Sequence, residues 1–344
     1  MNLYPFIKPF LFRFEAEKAH HLALQSLDQT YRLHLLPTLI GTIPSLPKSF
    51  CGLQLPNPVG LAAGLDKDGK YIDALSSLGF GFIELGTVTP LPQPGNPLPR
   101  MFRLTDSMAI INRMGFNNDG VDACVARVKA SAFYQQGGVI GLNIGKNAVT
   151  PIENASSDYL TCLQKVYGVA SYVTINISSP NTKNLRQLQG GQDLIELLKT
   201  ISHEREKLSE QYGKRLPLFL KIAPDLDDDA IEGIAQAILE YNIDALIGTN
   251  TTLSRAGVEQ EPYKDETGGL SGLPVKNLST QTLKKFAQHL NGKIPLIGVG
   301  GIMNGEDALE KIHAGAELVQ LYSGLIYRGP ELIKDCISSL KSKN

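Results

Sequence analysis

Eight short apolar segments, at residues 58–63, 81–88, 139–144, 172–177, 216–222, 243–249, 294–299 and 318–322, constrain this chain more than any other feature. Each is rich in Val, Ile and Leu and apolar on both faces. That is the pattern of parallel strands buried between layers of helix. Helical stretches fall between them, at 70–78, 194–210, 227–241, 276–290 and 305–313. Several run into Gly or Asn, the usual left-handed stop. Asp227 and Asn304 stand where a side chain can cap a helix N-terminus. Eight strands alternating with helices is the count of a (β/α)8 barrel. The rival, a doubly wound open sheet, usually has fewer strands and a glycine-rich first turn. Here the first turn reads GLDKDGK, and no strand ends in GxGxxG. The spacing therefore predicts an α/β barrel over residues 46–344.

Residues 1–45 stand outside the repeat. The first 14 residues hold five of the chain's 24 aromatics, and Ala19, Leu22, Ala23, Leu27, Tyr31 and Leu35 follow at helical spacing. This reads as a short apolar helix, an amphipathic helix and a linker, PTLIGTIPSLP. Pro5, Lys8, Pro9 and Arg13 interrupt the first too often for it to span a bilayer. Its aromatics are too dense for a solvated tail. A helix pair lying in a membrane surface, apolar side down, fits both facts; a hairpin packed on the barrel is the alternative. No run of about 20 apolar residues occurs, and no secretory signal is read. A net charge of −1 offers nothing to nucleic acid. The four cysteines, Cys51, Cys124, Cys162 and Cys336, form no CxxC pair, which points to a reducing compartment.

In a barrel the chemistry sits at the C-terminal strand ends. These read AAGLDKDG, ELGTVTP, LNIGKN, NISSPNT, LKIAPD, GTNTT, GVGGI and QLYSGL. None of the six histidines is at such an end, and no His/Asp/Glu cluster has metal-ligand spacing, so no metal is expected. GVGGI and LYSGLI follow the last two strands, where backbone N–H groups can hold the phosphate of a substrate or of flavin mononucleotide (FMN). Asn112, Asn176, Asn181 and Asn250 fall at or near strand ends or in the loop NRMGFNND. Side by side, such amides suit a planar ring of alternating N–H and C=O, although Asn is also common in turns. Lys221 ends an apolar strand. It reads as a Schiff-base lysine or as a fixed charge beside an electron-accepting ring; a snorkelling surface lysine fits less well with Leu218, Phe219, Leu220 and Ile222 around it.

Nine segments in order (AAGLDKDG, GFIELGTVTP, NRMGFNN, NISSPNT, LKIAPD, GTNTT, GGLSG, IGVGGI and LYSGLIY) give the chain a close resemblance to the dihydroorotate dehydrogenases of the second, quinone-dependent class. The resemblance covers essentially the whole chain. It implies an FMN-binding barrel that oxidises (S)-dihydroorotate to orotate in pyrimidine synthesis, sends the hydride to flavin N5 and passes electrons to a membrane quinone. Carried over, Ala63, Gly64, Leu65, Asp66, Lys67, Thr87, Asn143, Asn176, Lys221, Thr249, Gly272, Gly301, Tyr322 and Ser323 match flavin contacts. Lys67, Asn112, Arg113, Met114, Gly115, Phe116, Asn176, Asn181, Asn250 and Thr251 match the substrate site. Ser179 matches the base that takes the C5 proton, with Thr182, Lys221 and Phe116 beside it. The first class of the family carries Cys in place of Ser179 and lacks the N-terminal extension. One departure is Lys183-Asn184, where many relatives have Pro-Gly.

The neutral stop Ser178-Ser179-Pro180-Asn181 then has a reason. A carboxylate base would be repelled by the substrate's own carboxylate, which Lys67 is expected to hold. Residues 1–45 are implied to form the mouth of a quinone tunnel, with His20, Arg103 and Tyr322 as candidate quinone contacts. The protein is then peripheral, on the cytoplasmic face of the cell's inner membrane. Deleting 1–45 should abolish quinone turnover but spare flavin reduction. A Schiff-base lyase and a non-catalytic barrel are the rivals; a yellow protein would exclude the lyase.

Overall fold

The computed structural model describes residues 3–182 and 184–342; Lys183, part of the departure noted above, lies outside them. The N-terminal stretch forms α1 (Tyr4–Leu11), α2 (Ala16–Arg32) and α3 (Leu36–Ile40). The third helix lies where a linker was expected. Leu36 is buried, Pro37 fits a first turn that needs no N–H, and Gly41, at φ +69°, ends the helix. Helix α1 buries none of its residues, while α2 buries Ala16, Glu17, Ala19 and Leu24 against the rest of the molecule. Among the described residues no helix is long and apolar enough to cross a membrane.

Strands β1 (Lys48–Phe50) and β2 (Leu53–Leu55) make an antiparallel hairpin. They are followed by β3 (Val59–Leu61), β4 (Phe82–Val88), β5 (Met101–Leu104), β6 (Ala109–Asn112), β7 (Ile140–Ile144), β8 (Tyr172–Asn176), β9 (Leu218–Ile222), β10 (Ala245–Gly248), β11 (Gly269–Gly272), β12 (Leu296–Val299) and β13 (Ala316–Leu321). Eight of these, β3, β4, β7, β8, β9, β10, β12 and β13, close in that order into a parallel barrel. They are the eight expected segments, with ends moved by one or two residues. The hairpin fills one end of the barrel: Phe50 and Leu55 join Phe82, Tyr172 and Ile297 in an apolar plug, and the Phe219 ring stacks on Tyr172 at 4.4 Å. Strands β5, β6 and β11 were not expected. They form an antiparallel sheet from the loops after β4 and β10, with Asn112 paired to both Gly269 and Met101.

Helices α4 (Ile72–Ser76), α5 (Val121–Ala130), α6 (Ala132–Gln135), α7 (Ala155–Val166) and α8 (Gly191–Tyr212) begin the outer layer, and those that follow show local causes. Helix α9 (Asp228–Glu240) buries Ile231, Ile234, Ala235 and Ile238, one face at 3.6-residue spacing, and Asp227 Oδ1 accepts from the Ala230 N–H at 2.9 Å. Helix α10 (Lys276–Leu290) ends at left-handed Asn291, and Asn304 caps α11 (Gly305–His313) through the Asp307 N–H at 2.9 Å. Helix α12 (Ser323–Arg328) follows β13 after one residue, and its Ile326 and Tyr327 carbonyls accept from Tyr4 and Lys8 of α1.

Candidate active site

The C-terminal ends of the barrel strands surround one cavity, as the strand order requires. Ala63, Gly64, Lys67, Thr87, Asn176, Lys221, Thr249, Gly272, Gly301, Tyr322 and Ser323 line it, as do Asn112, Met114, Gly115, Phe116, Ser179, Asn181, Asn250 and Thr251. Leu65, Asp66, Asn143, Arg113 and Thr182 do not. Asp66 is buried and accepts from the backbone N–H groups of Lys70 and Tyr71 at 2.9 and 2.7 Å, so it organises the turn before α4 (Ile72–Ser76). The Arg113 guanidinium points away, onto Glu266 at 2.6 Å and over the Phe102 ring. Asp225, a strand-end acid, is held by Arg186 at 2.8 Å and by Thr252.

Beneath the cavity lies a residue that the motif GFIELGTVTP contains but that carried no expected role. Glu84 of β4 is fully buried. Its carboxylate accepts from Asn143 Nδ2 at 2.8 Å, Gln320 Nε2 at 2.7 Å and Tyr172 Oη at 3.1 Å. A carboxylate only accepts, so it sets the polarity of the amides above it. Asn143 turns its Oδ1 to Thr87 Oγ1 (2.5 Å) and Asn176 Nδ2 (3.1 Å). Asn176 then turns its own Oδ1 toward Ser178 and Asn250. Gln320 is left with a buried Oε1 that has no partner among the described residues. The signal was present in the sequence, since Glu84 and Gln320 each interrupt an apolar strand.

Lys221 is also buried and makes no hydrogen bond or ion pair among the described residues. Burial lowers its pKa, and the Glu84 charge opposes that. At the other wall, burial lowers the Lys67 pKa to about 8, against the attraction of Glu17. Ser179 is buried, and its Oγ accepts from the Asn181 N–H at 3.2 Å. Thr182 Oγ1 and Thr251 Oγ1 are buried with no partner among the described residues. The turn at Gly301, φ +73°, lies so close to α10 that a Cβ there would sit 2.5 Å from Lys276 Cα.

A second, apolar groove runs between α1, α2 and the barrel, and takes in Leu65, His20 and Arg103. Arg103 donates to the carbonyls of Leu11, Phe12 and Phe14 and lies 4.5 Å from the Phe12 ring. His20 is driven down to about 3, by burial first and by Lys67 second, so it is a neutral imidazole. Tyr322 belongs to the first cavity; its ring would be 3.2 Å from a Cβ on Gly64.

A family model described as dihydroorotate dehydrogenase matches residues 45–343. The chain is 58% identical over 341 residues to the dihydroorotate dehydrogenase (quinone) of Polynucleobacter asymbioticus, covering 99% of each. It is 56% identical over 338 residues to the enzyme of the same name from Neisseria meningitidis, covering 98% of this chain and 99% of the other. Among solved structures, DHODH of Eimeria tenella in complex with ferulenol superposes with a TM-score of 0.86 at 39% identity, covering 95% of this chain and 91% of that one.

Proposed function

The chain belongs to the dihydroorotate dehydrogenase family, and from that premise we propose that it oxidises (S)-dihydroorotate to orotate in pyrimidine synthesis, with FMN as cofactor and a membrane quinone as final acceptor. One observation carries the reading. A single cavity is lined by Lys67, Lys221, Ser179 and the amides of Asn112, Asn176, Asn181 and Asn250.

The residues present suit FMN. Lys221 and the orphaned Gln320 Oε1 offer a donor and an acceptor to a polar ring edge, and the Gly300–Gly301 and Ser323–Gly324 turns bring backbone to the cavity wall. When bound, FMN would supply the acceptor for the hydride leaving C6 of the substrate. Lys221 offsets negative charge on that ring. Lys67 holds the substrate carboxylate. Asn112, Asn181 and Asn250 orient the ring's N–H and C=O groups, and Phe116 covers it. Ser179 Oγ takes the C5 proton and hands its own onward to solvent, with a water and Thr182 Oγ1, which has no partner among the described residues, as the relay. Heat-denatured protein from a flavin-replete preparation is expected to release stoichiometric FMN, and anaerobic dihydroorotate should bleach the native protein. Colourless, phosphate-free protein would sink the reading.

The quinone is proposed to enter by the apolar groove. Its wall carries neutral His20 and the Arg103 guanidinium as donors to a quinone oxygen, with Tyr322 on the flavin side. Helices α1 and α2 then rest on the cytoplasmic face of the inner membrane.

Orotate binding should depend on pH in a stated direction. Protonated Lys67 attracts the carboxylate, and its charged neighbours are Glu17, Arg100, Asp68 and Asp66. Its folded value of about 8 means affinity is flat below pH 7 and falls as pH rises through 8, by up to about tenfold per unit. Titrating orotate against flavin absorbance from pH 6 to 9 checks this; a pH-independent affinity would remove Lys67 from the role.

A further inference from the structure

Glu17 belongs to α2 in the N-terminal extension, yet it is only 6% exposed. Both of its oxygens hold Arg100: Nε donates at 3.2 and 3.0 Å, and Nη2 donates to Oε1 at 2.8 Å. This bidentate pair fixes the plane of the guanidinium. Arg100 Nη1 then donates to the carbonyls of Pro94 (2.6 Å) and Asn96 (2.9 Å), and the Arg100 carbonyl accepts from the Arg113 N–H at 2.9 Å. Asn96 joins the two loops of the cavity wall. Its Nδ2 donates to the carbonyls of Arg113 (2.9 Å) and Asn181 (3.3 Å), and its N–H donates to the Met114 carbonyl at 3.1 Å. Those loops carry Asn112, Met114, Gly115 and Phe116 on one side and Ser179 and Asn181 on the other.

We propose that Glu17 is a positioning residue for dihydroorotate: a carboxylate from the extension that, through Arg100 and Asn96, holds the two substrate loops in register. The inference rests on the reading of that cavity as the dihydroorotate site. It assigns part of the extension to the substrate half-reaction, as well as to quinone and membrane. Glu17 is also the leading counter-charge to Lys67, ahead of Asp68 and Asp66, with Arg100 opposing it. Deleting residues 1–45 removes Glu17 too, so a truncated chain would keep flavin reduction only at raised dihydroorotate concentration.

The test uses full-length, flavin-loaded Glu17→Gln, which keeps shape and loses charge. Orotate affinity is read from the flavin spectrum, and KM is measured for dihydroorotate and for a short-tailed quinone. The orotate dissociation constant and the dihydroorotate KM are expected to rise roughly ten- to a hundredfold, the scale for a hydrogen bond to a charged group. The quinone KM should stay within about twofold and kcat should fall far less than KM rises. Glu17→Asp should recover part of the loss. Asn96→Ala makes the same measurement from the barrel side, should Glu17→Gln not fold. It should weaken orotate binding similarly, and no bond it removes touches the extension. Unchanged orotate affinity in Glu17→Gln, or in Asn96→Ala if only that variant folds, overturns the proposal; so does a loss confined to the quinone KM. A parent protein that fails to bind orotate would instead refute the functional reading itself, and this inference with it.

Discussion

Ser179→Ala is expected to slow reduction of the bound flavin by dihydroorotate roughly 10²–10⁴-fold, the usual range for losing a general base. Flavin retention and orotate affinity should stay near those of the parent, because among the described residues the Ser179 side chain makes one bond, from the Asn181 N–H at 3.2 Å. The loop has other anchors: Arg186 donates to the Ser178 carbonyl at 3.1 Å, and Asn250 Nδ2 donates to Ser178 Oγ at 3.1 Å. A serine hydroxyl can work here only by passing its proton on. A water and Thr182 Oγ1, which is buried with no partner among the described residues, are the proposed relay. Ser179→Cys should regain activity as pH rises, since a thiol near pKa 8.5 ionises where serine does not. Anaerobic stopped-flow at the flavin absorbance decides the matter. A parent-like rate in Ser179→Ala would move the base elsewhere.

The second large effect is expected at the membrane. On α1, Phe6 and Phe10 are 80% and 59% exposed, with Ile7 beside them at 47%. The opposite side of the helix is tied to the barrel, by Tyr4 Oη to the Ile326 carbonyl at 2.5 Å and Lys8 Nζ to the Tyr327 carbonyl at 3.3 Å. Replacing both phenylalanines by glutamate should therefore leave the fold intact. Burial of two Phe side chains contributes about 3–6 kcal/mol, or roughly 10²–10⁴-fold in partitioning. Incomplete burial in a headgroup layer favours the lower end. Sedimentation with anionic vesicles should show the double variant in the supernatant, with a raised KM for a long-tailed quinone and unchanged turnover with a soluble dye. If the variant sediments with the vesicles like the parent, α1 is not the membrane face.

The barrel was legible in the sequence because its strands are buried on both faces. A parallel strand between core and helices is largely apolar on both faces, and that leaves a continuous local run such as that of Leu296–Val299. Helix starts and stops were legible for the same reason: an Asp227 or Asn304 cap and an Asn291 stop involve only residues three or four apart. Cavity-lining residues near strand ends, such as Lys67, Ser179 and Asn250, followed from the barrel topology and the motifs. The sheet of β5, β6 and β11 was not legible. Its strands have four residues each, and β11 starts and ends with Gly, so the pairing comes from bonds between Gly269 and Asn112 far apart in sequence. Glu84 could be seen as a charge in an apolar run, but Asn143, Tyr172 and Gln320 reach it from three other strands. Glu17 was least legible. Read locally, it belongs to the polar side of an amphipathic helix, and only the fold brings Arg100 to it, burying Glu17 and largely covering Arg100. Charge pairing acts through space, and the sequence records only neighbours along the chain; the closed barrel and the docked extension decide which charges meet.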